Sequence, residues 1–426
     1  MGRQVYYKFL LLVISVIIGL FLVEILLSLF GELPPIGGDY GWKTWSLDSE
    51  HAKQVNQFGF RGSAFNPDSQ LRIVLLGDSQ VETAHSFSEM PENYLKQELE
   101  SLTNKSVSVV SIGSWGLGTD QQYLSLEKYI DRINPTCVIL WFSSNDFSDN
   151  TRPNGAGGPK PTFWLSEGKL QGPNVQQFEK IKDDNLKIVR LLRRRGLLGQ
   201  SIPIKDSEFV RKYVKPSLKE PVYGECTAES LKDFDLAKYY VELIDAEKLY
   251  SVYAAGPSTV KRYGSMYEYY RNFIYDNPKF ELGTGRSIFD HYIEPIPPIY
   301  EYGIQLTNTL LLRVRDLAES HNSRFFVFMV KLPVEPFSTP ITICYKDREY
   351  KLSLASFYNR LERTFNGTEY HFIDDLPADY QDKNDSHLSD VGNRYVMKKV
   401  AELIAEQLSE TIAPESHMVE HATEAR

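Results

Sequence analysis

Residues 71–79 read LRIVLLGDS, and they decide the fold that the sequence predicts. Leu71–Leu76 is a short, mostly apolar run, which is typical of a strand buried on both faces of a parallel sheet. Gly77 allows the chain to turn sharply where that strand ends, and Ser79 follows on the turn. Because α/β sheets bind ligands at the carboxyl ends of their strands, Ser79 is a candidate functional residue, although GDS alone also fits an ordinary turn.

Strand and helix patterns alternate in two separate stretches of the chain. In the first half we predict a helix over Glu92–Leu102, a strand over Val107–Ile112, a helix over Thr119–Ile133 opened by a capping box of Thr119 with Gln122, and a strand over Thr136–Phe142. In the second half we predict a helix over Ile304–Glu319, a strand over Phe325–Val330, a helix over Leu352–Phe365, a strand over Tyr370–Ile373 and a closing helix over Asp390–Leu408. This alternation predicts a parallel sheet with helices on both faces.

Composition and charge narrow the class of protein. The chain has 426 residues, of which 42% are hydrophobic and 24% charged, as in an ordinary globular protein. The net charge of −9 argues against a chain-wide basic surface, so we expect no nucleic-acid partner. None of Cys137, Cys226 and Cys344 lies in a CxxC pair, which disfavours a zinc ribbon or a thioredoxin-type site. Cys226 and Cys344 could pair in an oxidising compartment, whereas Cys137 lies in a predicted buried strand.

The N-terminal segment departs from the soluble pattern. Phe9–Phe30 reads FLLLVISVIIGLFLVEILLSLF, with Glu24 as its only charge, and as a helix it would span about 33 Å. Arg3 and Lys8 precede it, so the positive-inside rule places the N-terminus in the cytoplasm. The exit SLFGELPP fits an uncleaved anchor better than a cleaved signal peptide. We therefore predict a single-pass cell-membrane protein whose remaining chain lies outside the cytoplasm, in the periplasm if the source is bacterial.

The alternation is interrupted between Asn150 and Pro298, a stretch too long for a simple loop. The predicted organisation is a cytoplasmic N-terminus and membrane anchor (1–30), a stalk (31–70), the first part of the α/β domain (71–149), a mostly helical insertion or cap (150–298), the second part of the domain (299–408) and a disordered tail (409–426). Within the insertion, Phe178–Leu198 is helix-like. Its many tyrosines suit either carbohydrate stacking or a packed cap.

Three other loops at the expected sheet edge carry residues with chemical potential. The glycine-rich loop 113–118 permits close approach of the backbone to a ligand, but its spacing is not that of a dinucleotide site. Asn145 follows the third strand, where its amide could donate to an oxyanion. His387 lies just before the closing helix, and Asp385 two residues earlier could fix its tautomer. Each of these loops, taken alone, also fits an ordinary turn.

Taken together and in this order, the four loops resemble those of the SGNH (GDSL-type) hydrolase superfamily. The matching residues are the GDS at 77–79, Gly116, Asn145 and His387. The segments VNQFGFRG, GLGTDQQYL and SSNDFSDN also resemble a membrane-anchored subgroup. The resemblance implies a flavodoxin-like, three-layer parallel sheet.

The resemblance also implies a role for each matching residue. Ser79 would be the nucleophile, His387 its general base and then general acid, and Asp385 the group that orients the imidazole. The N–H groups of Ser79 and Gly116 and the Asn145 side chain would form the oxyanion hole, and no metal or organic cofactor would be needed.

Two positions depart from the family pattern, and a second histidine competes for the role of base. Asn384 stands where the usual motif has its Asp, so the assignment passes to Asp385 in a D-x-H spacing. Ser143 replaces the glycine of the usual GxND. His85, six residues after Ser79, is the alternative base.

The implied function is that of an extracytoplasmic, membrane-anchored serine esterase that cleaves an acyl ester on a glycan or lipid through a Ser-His-Asp triad and an acyl-enzyme. One alternative is a polysaccharide O-acyltransferase that uses the same residues and a membrane partner as acyl donor. Another is a noncatalytic, tethered glycan-binding or scaffold protein.

Overall fold

The computed structural model describes residues 3–30, 54–83, 85–155, 158–174, 188, 206–219, 221–232, 234–243, 264–278, 281–331, 336–380 and 387–411. The elements before residue 150 are α1 (Arg3–Phe30), β1 (Leu71–Gly77), α2 (Ser79–Glu82), α3 (Pro91–Thr103), β2 (Val107–Gly113), α4 (Thr119–Ile133), β3 (Cys137–Trp141) and α5 (Asp146–Asp149). Those of the insertion are β4 (Asn154–Gly155), β5 (Gly158–Pro159), β6 (Thr162–Ser166), β7 (Lys169–Asn174), α6 (Asp206–Phe209), β8 (Gly224–Glu225), α7 (Leu236–Leu243), α8 (Met266–Arg271) and β9 (Ile293–Glu294). The remainder are α9 (Pro298–Ser320), β10 (Arg324–Val330), β11 (Ile341–Tyr345), β12 (Arg348–Leu352), α10 (Leu354–Phe365), β13 (Glu369–Ile373) and α11 (Asp390–Thr411).

A central five-stranded sheet has the order β13-β10-β3-β1-β2, and all its neighbouring strands are parallel. Every residue of β2 and β3 is buried, as is every residue of β1 except the half-buried Arg72, which explains their continuous apolar sequences. Strand β1 pairs with β2 on one side and β3 on the other, so the chain reverses its direction of travel across the sheet at β1. Such a switch point opens a crevice at the carboxyl ends of the strands.

Helices cover both faces of the sheet, as the alternation predicts. Val74 and Leu76 of β1 point into a core that they share with α4, α9 and α10. Ile73 and Leu75 point the other way, into a core formed with α3 and α11. The period of two along the strand therefore divides one apolar run between two cores. The prediction of a mixed α/β fold with a central parallel sheet is confirmed.

Helix α4 begins at Thr119 and ends at Ile133 as predicted, but its predicted capping box is wrong. The residue that precedes the helix is Gly118, and its N–H donates to Oε1 of Gln121 at 3.4 Å. Thr119 is already the first helical residue, so it cannot cap the helix with Gln122. The Thr119 hydroxyl donates instead to Oδ2 of Asp146 at 3.0 Å. A contact with a neighbouring loop has replaced the local cap.

The described part of the insertion contains strands as well as short helices, so the expectation of a mostly helical insertion does not hold there. Its strands β8 and β9 pair with β12, which also pairs with β11. Sequence patterns did not predict this small antiparallel sheet. Cys226 and Cys344 form a disulfide across it, so the pairing left open by the sequence is present. The predicted helix at Phe178–Leu198 lies outside the described residues except for Ile188.

Several tyrosines of the insertion pack against other aromatic rings. The Tyr240 and Tyr270 rings meet edge to face at 4.8 Å between centroids, and Tyr239 stacks on Phe337 at 5.2 Å. Both contacts lie in the core that lines the small antiparallel sheet. These tyrosines therefore serve as packing residues.

The N-terminal helix α1 includes a stretch, Tyr7–Leu27, that is long and apolar enough to cross a membrane. Its apolar side chains are exposed, as those of a lipid-facing helix would be. Of the predicted stalk, residues 54–70 are described and lie against the domain, whereas 31–53 are outside the described residues. Helix α11 continues to Thr411, so the predicted tail at 409–426 starts too early, and 412–426 are outside the described residues.

Candidate active site

Ser79 is the first residue of α2, immediately beyond β1. Asp78 caps this short helix by accepting the Gln80 N–H on Oδ1 at 2.9 Å. The turn is tight because Val81 packs against two glycines at the ends of adjacent strands. A Cβ at Gly77 would lie 2.5 Å from Val81 Cγ2, and one at Gly113 would lie 2.6 Å from Val81 Cβ. Glycine is therefore required at both strand ends to hold the serine in this position.

His387 meets Ser79 across 308 residues of sequence. Its Nε2 lies 2.7 Å from Ser79 Oγ, so in the neutral imidazole with Nε2 unprotonated the hydroxyl donates to the ring. This is the distance expected between a nucleophile and its general base. Asp385 lies outside the described residues, so its role in orienting the imidazole stays a prediction.

The predicted alternative base, His85, lies elsewhere. Its Nε2 lies 2.8 Å from the carbonyl oxygen of Leu388, the residue after His387. The structure therefore brings His387 to the Ser79 hydroxyl and aims His85 at the backbone beside it.

Asp78 links the loop that follows β1 to the loop that follows β3. Burial raises the pKa of its carboxyl. Hydrogen bonds from the Gln80 N–H and from the side chains of Ser143 and Asn145, together with the nearby His387, act in the opposite direction. The serine that replaces glycine at position 143 is therefore engaged with the carboxylate beside the predicted nucleophile.

Asn145 lies at the sheet edge where it was predicted, and its side chain is exposed. Its amide donates to Oδ2 of Asp149 at 2.9 Å as well as hydrogen bonding to Asp78. An acyl oxygen would have to replace one of these carboxylate acceptors before the amide could serve as an oxyanion donor.

Gly116 lies in a turn in which the Leu117 N–H donates to Ser114 O at 3.0 Å. Its φ of +72° is the left-handed conformation that favours glycine at this point of a turn. The preceding N–H, that of Trp115, donates to Oε2 of Glu82 at 2.5 Å. Glu82 belongs to α2, so the loop that follows β2 is hydrogen-bonded directly to the helix that begins with Ser79. The sequence did not lead us to predict this hydrogen bond. The acidic residue three positions after Ser79 could have indicated it.

Buried polar groups join the segment that follows β2 to the segment that follows β3. Asn150 Oδ1 accepts the Asp120 N–H at 3.1 Å, and Asp146 accepts from Thr119. The buried Lys160 ammonium forms an ion pair with Asp120. Burial and neighbouring carboxyl groups raise the pKa of Asp146 well above its ordinary value, which favours its uncharged form. These contacts explain why GLGTDQQYL and SSNDFSDN carry so many polar residues.

Among the residues that the structure describes, no group of three or more His, Cys, Asp or Glu side chains could hold a metal ion.

Comparisons with known proteins give little. No family model matches the chain. No curated protein matches it either. Among solved structures, the crystal structure of an acetyl xylan esterase, AlAXEase, is similar over 78% of this chain and 99% of that chain, at 14% identity and a TM-score of 0.23. Identity and a TM-score this low do not transfer a fold or an activity to this chain.

Proposed function

We propose that this protein is a membrane-anchored serine esterase of the SGNH type, which cleaves an acyl ester through a covalent acyl-enzyme. The observation that supports it most is the 2.7 Å contact between Ser79 Oγ and His387 Nε2 at the switch point of a parallel sheet. A serine hydroxyl bonded to an imidazole is the arrangement that activates the hydroxyl as a nucleophile.

In the proposed reaction, Ser79 Oγ attacks the ester carbonyl carbon while His387 Nε2 takes the hydroxyl proton. The oxyanion that forms accepts from the N–H groups of Ser79 and Gly116 and from the amide of Asn145. Collapse of this intermediate breaks the bond to the alcohol oxygen, which takes the proton from His387. Water then attacks the acyl-serine with His387 again as base, and the free acid and Ser79 are released.

Two features would adapt the site to a developing negative charge. The carboxyl of Asp146, next to the oxyanion donor Asn145, is favoured in its uncharged form and so repels an oxyanion less. The contact of Glu82 with the Trp115 N–H orients the loop that presents Gly116. Donors that are already oriented need little reorganisation as the charge develops.

The compartment and the substrate class follow from regions outside the site. Arg3 and Lys8 lie at the N-terminal end of α1, which favours a domain outside the cytoplasm. The Cys226–Cys344 disulfide supports the same side, because disulfides persist in oxidising compartments. An anchored esterase on that side would meet acylated glycans and lipids of the cell surface.

The test is a panel of p-nitrophenyl esters and acetylated polysaccharides, incubated with the full-length protein in detergent micelles. The wild type should release acid from at least one ester, and Ser79→Ala should abolish that release. Ser88→Ala, which changes an exposed serine nine residues away, is the matched control and should behave as the wild type. Equal release by Ser79→Ala, or none by folded wild type on any ester, would contradict the proposal. Acyl groups that appear on an added acceptor glycan instead of in solution would show transfer by the same residues.

A further inference from the structure

His85 makes a contact that the proposed reaction does not use. Its Nε2 lies 2.8 Å from the carbonyl oxygen of Leu388, and the two residues are 303 positions apart. A carbonyl can only accept, so the ring donates an N–H here. Leu388 directly follows His387, and its side chain is buried, so this carbonyl lies on a fixed piece of backbone. The amide of Asn393 points at the same oxygen from 3.5 Å.

The backbone that carries His85 is held in place by Arg61. The guanidinium of Arg61, which is almost completely buried, donates from Nη2 to His85 O at 2.6 Å. Nη1 donates to Thr83 O at 2.5 Å and to Glu82 O at 3.2 Å. One rigid side chain therefore binds three carbonyls in the turn that follows Ser79.

That turn is strained. Thr83 has a φ of +33°, a region that β-branched residues rarely adopt. Such a conformation persists only where the surrounding structure enforces it. The guanidinium of Arg61 supplies that constraint at Thr83 and also holds the His85 carbonyl, and the His85 ring contacts the Leu388 carbonyl.

Arg61 is itself anchored in the segment that follows the membrane helix in sequence. Its Nη2 donates to Gln54 Oε1 at 3.1 Å. Asn56, in the same segment, donates to the carbonyl of Ser111 in β2 at 3.0 Å. The described stalk residues are thus part of the support of the site, because they bind β2 through Asn56 and hold the guanidinium of Arg61, which contacts the His85 carbonyl.

We propose that His85 is a positioning residue, which acts through Leu388 to hold the imidazole of His387 at Ser79 Oγ and thereby sets the reactivity of the serine. This inference rests on the proposed function, in which His387 is the base. It differs from a role for His85 as the base itself, because the ring contacts a carbonyl and not the hydroxyl. A small displacement of His387 lengthens the contact on which activation of Ser79 depends.

The experiment measures the inactivation of the full-length protein by a fluorophosphonate. His85→Leu removes the N–H donor at similar size, and His85→Gln retains a donor near the position of Nε2. We expect the maximal inactivation rate to fall about tenfold in His85→Leu, the effect of losing one hydrogen bond, with the half-saturating probe concentration unchanged. His85→Gln should stay close to the wild-type rate. His321→Leu, a change on α9's C-terminal end where the ring contacts Asp131, should have no effect.

His85→Asn serves as a second variant if His85→Leu fails to fold, since its shorter amide does not reach the Leu388 carbonyl and it should also be slow. Labelling of His85→Leu or His85→Asn at the wild-type rate would overturn the inference while leaving the proposed function intact. A glutamine variant as slow as the leucine variant would also overturn it. A wild type that is folded and does not label at Ser79 would overturn both.

Discussion

The loops at the carboxyl edge of the central sheet and the described part of the insertion are built in different ways. At the sheet edge, β1, β2 and β3 lie in register, and residues as distant in sequence as Ser79 and His387 come into contact. In the insertion, cross-links hold the chain instead: a disulfide, and the buried Arg360, which donates to the carbonyls of Asp290, His291 and Ile293. The difference suggests that changes at the sheet edge cost activity, whereas changes in the insertion cost stability.

The largest effect should come from His387→Ala at the sheet edge. Loss of the base leaves Ser79 without a proton acceptor, so kcat on p-nitrophenyl acetate should fall on the order of 10⁴-fold or more. The melting temperature should change little, because the side chain is only half-buried. His321→Ala, the replacement of a surface histidine outside the site, is the control. A kcat within tenfold of the wild type would mean that another group activates the serine.

Asn145→Ala should follow in size. If the amide turns from Asp149 to the oxyanion, kcat should fall by about 10²–10³-fold, the usual loss for one oxyanion donor. Ser148→Ala, in the short helix α5 that Asn145 precedes, removes a hydrogen bond to the Asn145 carbonyl and is the control. If kcat falls by the same small factor in both variants, the oxyanion is held by backbone N–H groups alone.

The sheet-edge residues were predictable because their positions follow from a strong local pattern. Strands β1, β2 and β3 are buried on both faces and read as uninterrupted apolar runs, so their ends could be placed from sequence. The loops that follow parallel strands in one sheet meet at one edge, which is why Ser79 and Asn145 could be expected near each other. The closing helix α11 fixed where His387 would lie.

What could not be predicted depends on contacts without a periodic signal. The hairpin β11–β12 reads ITICY and REYKL, with few fully buried positions, so its pattern is weak. No pattern in the sequence around Arg61 or His85 indicates that their side chains contact distant carbonyls. The capping box of α4 was predicted wrongly because Thr119 bonds to Asp146 of another loop rather than to its own helix.

In the insertion, removal of the disulfide should lower stability and leave activity almost unchanged. Cys226→Ser combined with Cys344→Ser opens a link between residues 118 apart in sequence. The free energy of unfolding should fall by about 2–4 kcal/mol, whereas kcat at low temperature should remain within about twofold of the wild type. Urea titration and initial rates measure the two quantities, and reducing agent should affect the wild type but not the double variant. A large loss of kcat with little loss of stability would place the insertion in the chemistry.

A further effect concerns pH. Burial, reinforced by Arg360, lowers the pKa of His291 to about 4 from its usual 6.5. Between these values the unfolded chain binds a proton that the folded protein does not, so this residue makes stability rise with pH, by at most about 1.4 kcal/mol per unit. Burial raises the pKa of the adjacent Asp290 carboxyl to about 7, which has the opposite sign.

The quantity to measure for this prediction is therefore the difference between wild type and His291→Asn, a variant that retains a partner for the Tyr300 hydroxyl. From pH 4 to 6.5 the free energy of unfolding of the wild type should rise relative to that of the variant, while kcat is equal in both at pH 7. Parallel stability curves would show that His291 is not held neutral in the folded protein.

The most direct test of the proposed pairing of Ser79 with His387 is to map, by mass spectrometry, the adduct that a fluorophosphonate forms with the folded, full-length protein. The pairing of Ser79 with His387 predicts a single adduct on the peptide that carries Ser79, lost in His387→Ala. An unmodified Ser79 in folded wild type, or an adduct on another residue, would contradict the account.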